Sequence, residues 1–362
     1  MTEILNIPAS AVDPTKLENA PKRQTIIAEW DHPILVAESN FQAKSLCEWS
    51  VNTAIGCGHG CRFCYVPSTS VNKQGVALKK LGVDDPDAQW GGYVFPRKWD
   101  EAKFRKSLLS AENKPLEKLA PDGNRAVMFS STTDPYQVIG DGELHRQHQE
   151  NVTRALTIIR DESTLNVRIL TRSPLAKKDF DLMKSFGKRL LFGMSLPTLN
   201  NTLARIYEPY SPAPTQRLAT LQAAKEAGLN VYVAVAPTYP ECDETDLRAT
   251  MAAIAKLEPL TVYHEPINIR AENVERIEAH AKTLGLSVKT AVFADEQSWA
   301  AYTIEQLRLM EKIAAEVGLA ERLHLWPDKA LAKSAVIATQ DDPTAFVFWL
   351  QGWWSRVSEW PA

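Results

Sequence analysis

Three of the chain's five cysteines fall within eight residues, in the stretch Gly56-Cys57-Gly58-His59-Gly60-Cys61-Arg62-Phe63-Cys64-Tyr65. Their spacing is Cys-x3-Cys-x2-Cys. Thiolates bind soft metals and iron–sulfur clusters. A structural zinc takes four ligands, usually in paired spacing, so three clustered thiols are a poor count for it. Iron–sulfur clusters also normally take four thiolates. Three with no neighbouring fourth suggest a four-iron cluster with one iron left open for a substrate or cofactor. The alternatives are a zinc site completed by His59, Cys47 or Cys242, and a redox or catalytic thiol. Glycines at 56, 58 and 60 let the backbone wrap closely and take positive φ where needed.

Such a loop needs a scaffold. Short β-rich runs at residues 50–55, 125–129, 167–170, 190–194, 231–235 and 261–264 alternate with helical patterns at 101–119, 143–160, 175–186, 215–227, 244–257 and 271–283. Strands alternating with helices imply parallel pairing through right-handed crossovers. The outcome is a closed or partial barrel, or an open doubly wound sheet. In a barrel, chemistry collects at the C-terminal strand ends. There this sequence places the cysteine cluster, then residues 130–137, Thr171-Arg172-Ser173, Ser195 with Pro197, Ala236-Pro237 and Glu265-Pro266. Residues 66–99 form an unusually long connection, and Trp90 to Pro96 within it could fold over a ligand.

We expect an N-terminal arm over residues 1–47, a barrel over 48–285 and a C-terminal extension over 286–362. In the extension, 288–293 and 323–326 read as strands, and 296–317 and 343–357 as helices. Asp342 suits an N-cap and Pro343 the first helical position. All ten tryptophans lie before residue 100 or after 298, so the flanks should pack together or cover the barrel mouth.

Composition bounds the rest. With 362 residues, 44% hydrophobic and 23% charged, the chain reads as soluble and globular, which excludes global disorder, collagen and coiled coil. A net charge of −3 gives no basic excess for a dedicated nucleic-acid binder. Residues 97–125 hold eight basic residues against five acids, more a solvated face than a phosphate track. Duplex DNA is not favoured as a partner. Met1 to Asn6 lacks a basic start to an apolar run, and residues 345–354 are far too short to span a membrane. Few cysteines in a long chain fit a reducing, cytoplasmic setting.

The cysteine motif with Phe63 before its last Cys, on the loop after a first barrel strand, resembles the radical S-adenosylmethionine (SAM) superfamily. Ser50-Val51-Asn52, Thr132-Thr-Asp-Pro-Tyr-Gln137, Leu170-Thr-Arg-Ser173, Met194-Ser-Leu-Pro-Thr198, Glu208-Pro209, Arg217-Leu218 and Val235-Ala-Pro237 resemble its spore photoproduct lyase and DNA repair photolyase-like branch. The resemblance covers roughly residues 48–270, with boundaries good to about 2–4 residues.

It implies an α/β fold, a partial (β/α)6 barrel of TIM type, with Cys57, Cys61 and Cys64 on a 4Fe–4S cluster. SAM would chelate the fourth iron, and its reductive cleavage would give a 5′-deoxyadenosyl radical that abstracts hydrogen from substrate. A donor such as flavodoxin or ferredoxin would supply the electron. Phe63 would lie by the adenine. Ser131, Thr133 and Asp134 would receive the methionyl amino group, or else form a capped Asp-Pro turn. Arg172 suits the SAM carboxylate, and Ser195 the ribose or carboxylate. Glu208 would pair with Arg217 as a support, or touch SAM. His59, His264 and His324 read as supports or core residues.

Spore photoproduct lyase carries a hydrogen-donating Cys where this sequence has Ser131, so Cys242 and Cys47 are the remaining donor candidates. The leading reading is a radical SAM enzyme acting on a small metabolite, peptide or nucleotide. The alternatives are a nucleic-acid lesion lyase and a non-catalytic metal-binding scaffold that uses the Trp-rich tail.

Overall fold

The computed structural model describes residues 25–39, 41, 44–120 and 123–361. Residues 1–24, which make up most of the expected arm, lie outside them.

Six parallel strands form the centre, β4 (Trp49–Val51), β7 (Ala126–Phe129), β8 (Asn166–Thr171), β9 (Leu190–Ser195), β10 (Asn230–Thr238) and β11 (Val262–Pro266), and each pairs with the next in that order. On one edge β3 (Val36–Glu38) runs antiparallel to β4, and on the other β12 (Leu323–Leu325) runs parallel to β11. The two edges do not pair with each other among the described residues. The architecture is therefore a partial α/β barrel.

The crossover helices are α2 (Glu101–Glu112), α3 (Gly142–Glu162), α4 (Phe180–Lys184), α6 (Pro214–Glu226) and α7 (Glu244–Ala255), with α8 (Asn273–Thr283) after β11. Their starts are written in the sequence. Asp100, Asp141 and Asp243 each accept the backbone N–H three residues on, as do Asp295 before α9 (Glu296–Glu316) and Asp342 before α10 (Pro343–Trp354). Each such cap stabilises by about 1 kcal/mol.

The run at 50–55 is not one strand. It breaks at Asn52-Thr53, and β5 (Ala54–Gly56) leaves the barrel to pair antiparallel with β6 (Tyr93–Lys98). The reason lies in the side chains at the break. Thr53 Oγ1 bonds His148 Nε2 at 2.9 Å, and Asn52 is committed to residues 131 and 132. The long connection supplies β6, which also pairs with β1 (Ile26–Ile27) and β2 (Trp30–Pro33); it also holds the short helix α1 (Gly75–Lys80).

The expected strand at 288–293 is instead a 3-10 turn, Thr290–Phe293. A short apolar run does not by itself specify a strand, and the sheet edge beside β11 is taken by β12. Helix α5 (Asn201–Tyr207), capped by Asn200, was not expected.

The barrel interior is closed from its open side by the two flanks. Leu46 and Cys47 pack with Met128, Leu191, Tyr232 and Tyr263, joined by Trp326 and Trp360. Ser358 N–H donates to Ser45 Oγ at 2.6 Å, and Trp326 Nε1 donates to the Lys44 carbonyl at 2.9 Å. Buried Arg168 lies over Tyr232, Tyr263 and Trp360 at 4.9, 5.6 and 5.0 Å from their ring centres. Among the described residues no helix is long and apolar enough to cross a membrane.

Candidate functional site

Cys57, Cys61 and Cys64 line one cavity of about 400 Å³, together with residues from the strand ends. Two glycines let the cysteine loop sit there. Gly56 has φ +82°, and a Cβ on it would lie 2.4 Å from the Tyr93 carbonyl oxygen. Gly60 has φ +57° and packs backbone to backbone on Gly91 of the long connection. Gly58 N–H donates to Gln137 Oε1 at 2.5 Å, and Arg62 N–H to the Tyr207 carbonyl at 2.8 Å. The expected cover, Trp90 to Pro96, thus serves chiefly as a packing partner and strand, although Trp90 does line the cavity.

Burial pushes all three thiols above their ordinary range, Cys64 to about 12. They would ionise against a cationic inorganic centre, which inverts that preference. Among the described residues, no three His, Cys, Asp or Glu groups converge to hold a single metal ion. Three thiols on one cavity fall short of the four ligands a structural zinc takes and match the donor set of a cluster that leaves one iron open.

The groups that could have completed a zinc site are engaged elsewhere. His59 Nε2 lies 3.1 Å from Asp134 Oδ2. Cys47 and Cys242 are fully buried and off the cavity wall.

Phe63, Ser131, Thr133, Asp134, Arg172 and Ser195 all line the cavity, but their polar groups are unequally free. Asp134 Oδ1 accepts from Thr171 Oγ1 (2.7 Å) and Tyr136 N–H (2.9 Å); Oδ2 accepts from Arg172 N–H (2.8 Å) and faces His59. A carboxylate offers about four lone-pair sites, and the protein's donors occupy three of those on Asp134. Burial raises its pKa, but His59 and the donors outweigh that and bring it to about 2. Thr133 Oγ1 donates to the Gly56 carbonyl and accepts from Gln137 Nε2, both at 2.7 Å. Asn52 Oδ1 accepts the N–H groups of Ser131 (3.0 Å) and Thr132 (2.9 Å), and its Nδ2 reaches Ser131 Oγ at 2.9 Å. These residues fix the strand-end loops.

Arg172 differs. Its Nε donates to Glu208 Oε1 at 2.7 Å, and neither terminal nitrogen has a hydrogen-bond partner among the described residues. Glu208 is fully buried, off the cavity wall, and bonded on its other oxygen to Arg217 Nη2. Burial pushes the Glu208 carboxyl up, but the two guanidiniums more than offset this and hold it below the usual range. Arg217 also donates to the carbonyls of Pro212 (2.8 Å) and Ser195 (3.2 Å). The series Arg217–Glu208–Arg172 presents a planar cationic fork to the cavity, suited to a carboxylate.

Lys44, Glu265 and Trp326 also line the cavity. Lys44 Nζ lies 2.6 Å from Glu265 and 4.6 Å from the Trp326 ring centre, whose ring is also stacked on Tyr263 at 4.6 Å. Glu265 was legible as a strand-exit residue. Trp90 and Trp326 lie in the segments expected to fold over a ligand or cover the barrel mouth, whereas Lys44 and the bracing role of Asn52 were not legible, because no local pattern marks them. His264 and His324 are buried in the barrel, the first 3.2 Å from Thr238 Oγ1.

Comparison with known proteins gives the family and the fold. The family model of the Radical SAM superfamily matches residues 51–254. Uncharacterized protein ORF301 of Acidianus two-tailed virus is 33% identical over 237 residues, 64% of this chain and 71% of that one. Uncharacterized protein MJ0683 of Methanocaldococcus jannaschii is 23% identical over 228 residues, 62% and 72% of the two chains. Among solved structures, spore photoproduct lyase complexed with dinucleoside spore photoproduct superposes with TM-score 0.54 at 14% identity, covering 77% of this chain and 76% of that chain. A cysteine-to-serine mutant of the lyase gives 0.56 at 14% identity, covering 83% and 80%. At such identity the structures speak for the fold. With the family model spanning more than half the chain and its cysteine loop lining the cavity, this protein belongs to the Radical SAM superfamily, enzymes that use a 4Fe–4S cluster and SAM.

Proposed function

We propose that Cys57, Cys61 and Cys64 hold the 4Fe–4S cluster and that the cavity beside them binds SAM and a substrate that is a small metabolite, peptide or nucleotide. When bound, cluster and SAM together supply a 5′-deoxyadenosyl radical for hydrogen abstraction. The chain's residues bind and orient. The free fork of Arg172 takes the SAM carboxylate, kept in place by Glu208 and Arg217. Ser195 and Phe63 face the nucleoside part. Ser131, Thr133 and Asp134 hold the loops rather than the ligand, since their polar atoms are spent on the protein. The rest of the cavity, with Lys44 and Glu265, is left for substrate. An electron carrier such as flavodoxin or ferredoxin completes the reaction.

The observation that carries this reading is the placement of three thiols and one free guanidinium fork on a single cavity. The test is anaerobic reconstitution followed by reduction with SAM. Wild type should become brown and release 5′-deoxyadenosine, and Cys61→Ala should do neither. Product from Cys61→Ala would sink the cluster assignment.

A second reading, a nucleic-acid lesion lyase, is favoured by the likeness to spore photoproduct lyase, one structure of which is named as bound to AdoMet and dinucleoside spore photoproduct. Salt-dependent binding of DNA would support it, and absence of binding at low salt would remove it.

A further inference from the structure

Helix α8 turns two buried side chains onto the cysteine loop. Asn273 Nδ2 donates to the Phe63 carbonyl at 3.3 Å and to the Asn268 carbonyl at 2.8 Å. One turn on, Arg276 Nε donates to the Arg62 carbonyl at 3.3 Å, and its Nη2 to the Cys64 carbonyl. Three consecutive carbonyls of the loop are thus held from one helix face, by residues three apart. The remaining arm of Arg276, Nη1, pairs with Asp87 of the long connection, and Asp87 also accepts from Ser68 Oγ at 2.7 Å. Asn273, Arg276 and Asp87 are 1%, 8% and 7% exposed.

This joins α8, the long connection and the loop between Cys61 and Cys64 through one buried charge pair. Water screens such charges little. The reduction potential of an iron–sulfur cluster follows net charge and hydrogen bonding around it, and one-electron reduction makes the site one charge more negative. Resting on the cluster reading above, we propose that Arg276 and Asp87 position the ligand loop and jointly set the cluster's reduction potential, with Asn273 sharing the positioning. Neither residue lines the cavity, so they act through the loop rather than on SAM or substrate.

The charges predict opposite shifts. Asp87→Asn leaves the guanidinium unbalanced, favours the reduced cluster and raises the potential. Arg276→Gln leaves the carboxylate unbalanced and lowers it. Arg276→Lys keeps the charge but loses the three-way donor fork, so its potential should stay nearer wild type while its reduced-state electron paramagnetic resonance (EPR) signal changes.

The experiment measures iron content, redox titration and reduced-state EPR on the reconstituted full chain and these variants. Opposite shifts in the two charge variants support the proposal. Unchanged potentials, or shifts of the same sign at full iron content, overturn it. If Arg276→Gln does not load iron, Asp87→Asn decides alone, a higher potential supporting the proposal and an unchanged or lower one overturning it. Wild type that binds no iron overturns the cluster reading itself.

Discussion

Arg172 Nε lies 2.7 Å from Glu208 Oε1, and that single bond aims the guanidinium while leaving both terminal nitrogens without a partner among the described residues. A charge-assisted, bidentate contact contributes about 1.5–3 kcal/mol. Arg172→Lys keeps the charge but not the fork, so SAM should bind about 10- to 100-fold more weakly to the cluster-loaded protein. Equilibrium binding measures this, and an unchanged dissociation constant would place the SAM carboxylate elsewhere.

Glu208 holds two arginines in a fully buried position. Glu208→Gln leaves both cations without a counter-charge, and breaking a buried pair this way costs about 3–5 kcal/mol. Urea unfolding of the cluster-free protein should show a loss of that order. A loss below about 1 kcal/mol, the range of exposed pairs, would mean that water enters the pair.

Three buried histidines, His148, His264 and His324, make stability depend on pH, the last lowered by burial to about 4. Burial lowers His148 and His264 from 6.5 to about 3 in the folded protein. Between those values the unfolded chain binds the proton and the folded chain does not, so stability falls as pH drops below about 6.5. The slope is up to about 1.4 kcal/mol per pH unit for each histidine. Urea midpoints of the cluster-free protein from pH 8 to 5 should be flat above 7 and decline below it. His148→Gln, which can still bond Thr53, should flatten the decline, and an unaltered slope would remove His148 from this account.

Gly56 and Gly142 form a contrasting pair. A Cβ on Gly56 would meet the Tyr93 carbonyl at 2.4 Å with φ at +82°, whereas a Cβ on Gly142, at the start of α3, meets nothing within 4 Å. Gly56→Ala should destabilise by more than about 1 kcal/mol and impair iron loading. Gly142→Ala should be neutral, or stabilise by up to about 1 kcal/mol through helix propensity. Equal melting temperatures for the two variants would contradict the loop geometry.

The site was legible in the sequence where chemistry and spacing coincide. Cys57, Cys61 and Cys64, with Gly56 and Gly60 taking positive φ, could be read directly, because residue type and chain connectivity alone bring them together. The strand-end positions of Arg172, Ser195 and Glu265 followed from the alternation of strands and helices. The division of labour among them did not. For Asp134 and Thr133 the sequence left two readings open, groups that receive a ligand or a capped turn, and the neighbours their oxygens meet, contributed by β8, by Gln137 and by the cysteine loop, are set by the fold. Residues 50–55 look like one strand until Asn52 and Thr53 turn to partners about eighty and ninety-five residues away.

By itself the sequence determined the clustered cysteine motif, the alternation that builds a partial barrel and the aspartates that start its helices. These are local properties, fixed by side-chain type, period and short-range hydrogen bonding. Only the tertiary structure decided that Lys44 meets Glu265, that Arg276 reaches Asp87 and the loop carbonyls, and that Glu208 is shared by Arg172 and Arg217. The first two of these contacts join segments 221 and 189 residues apart. Partners so remote leave no periodicity in the chain, and what selects them is burial, where a charge must find its counterpart or remain in water.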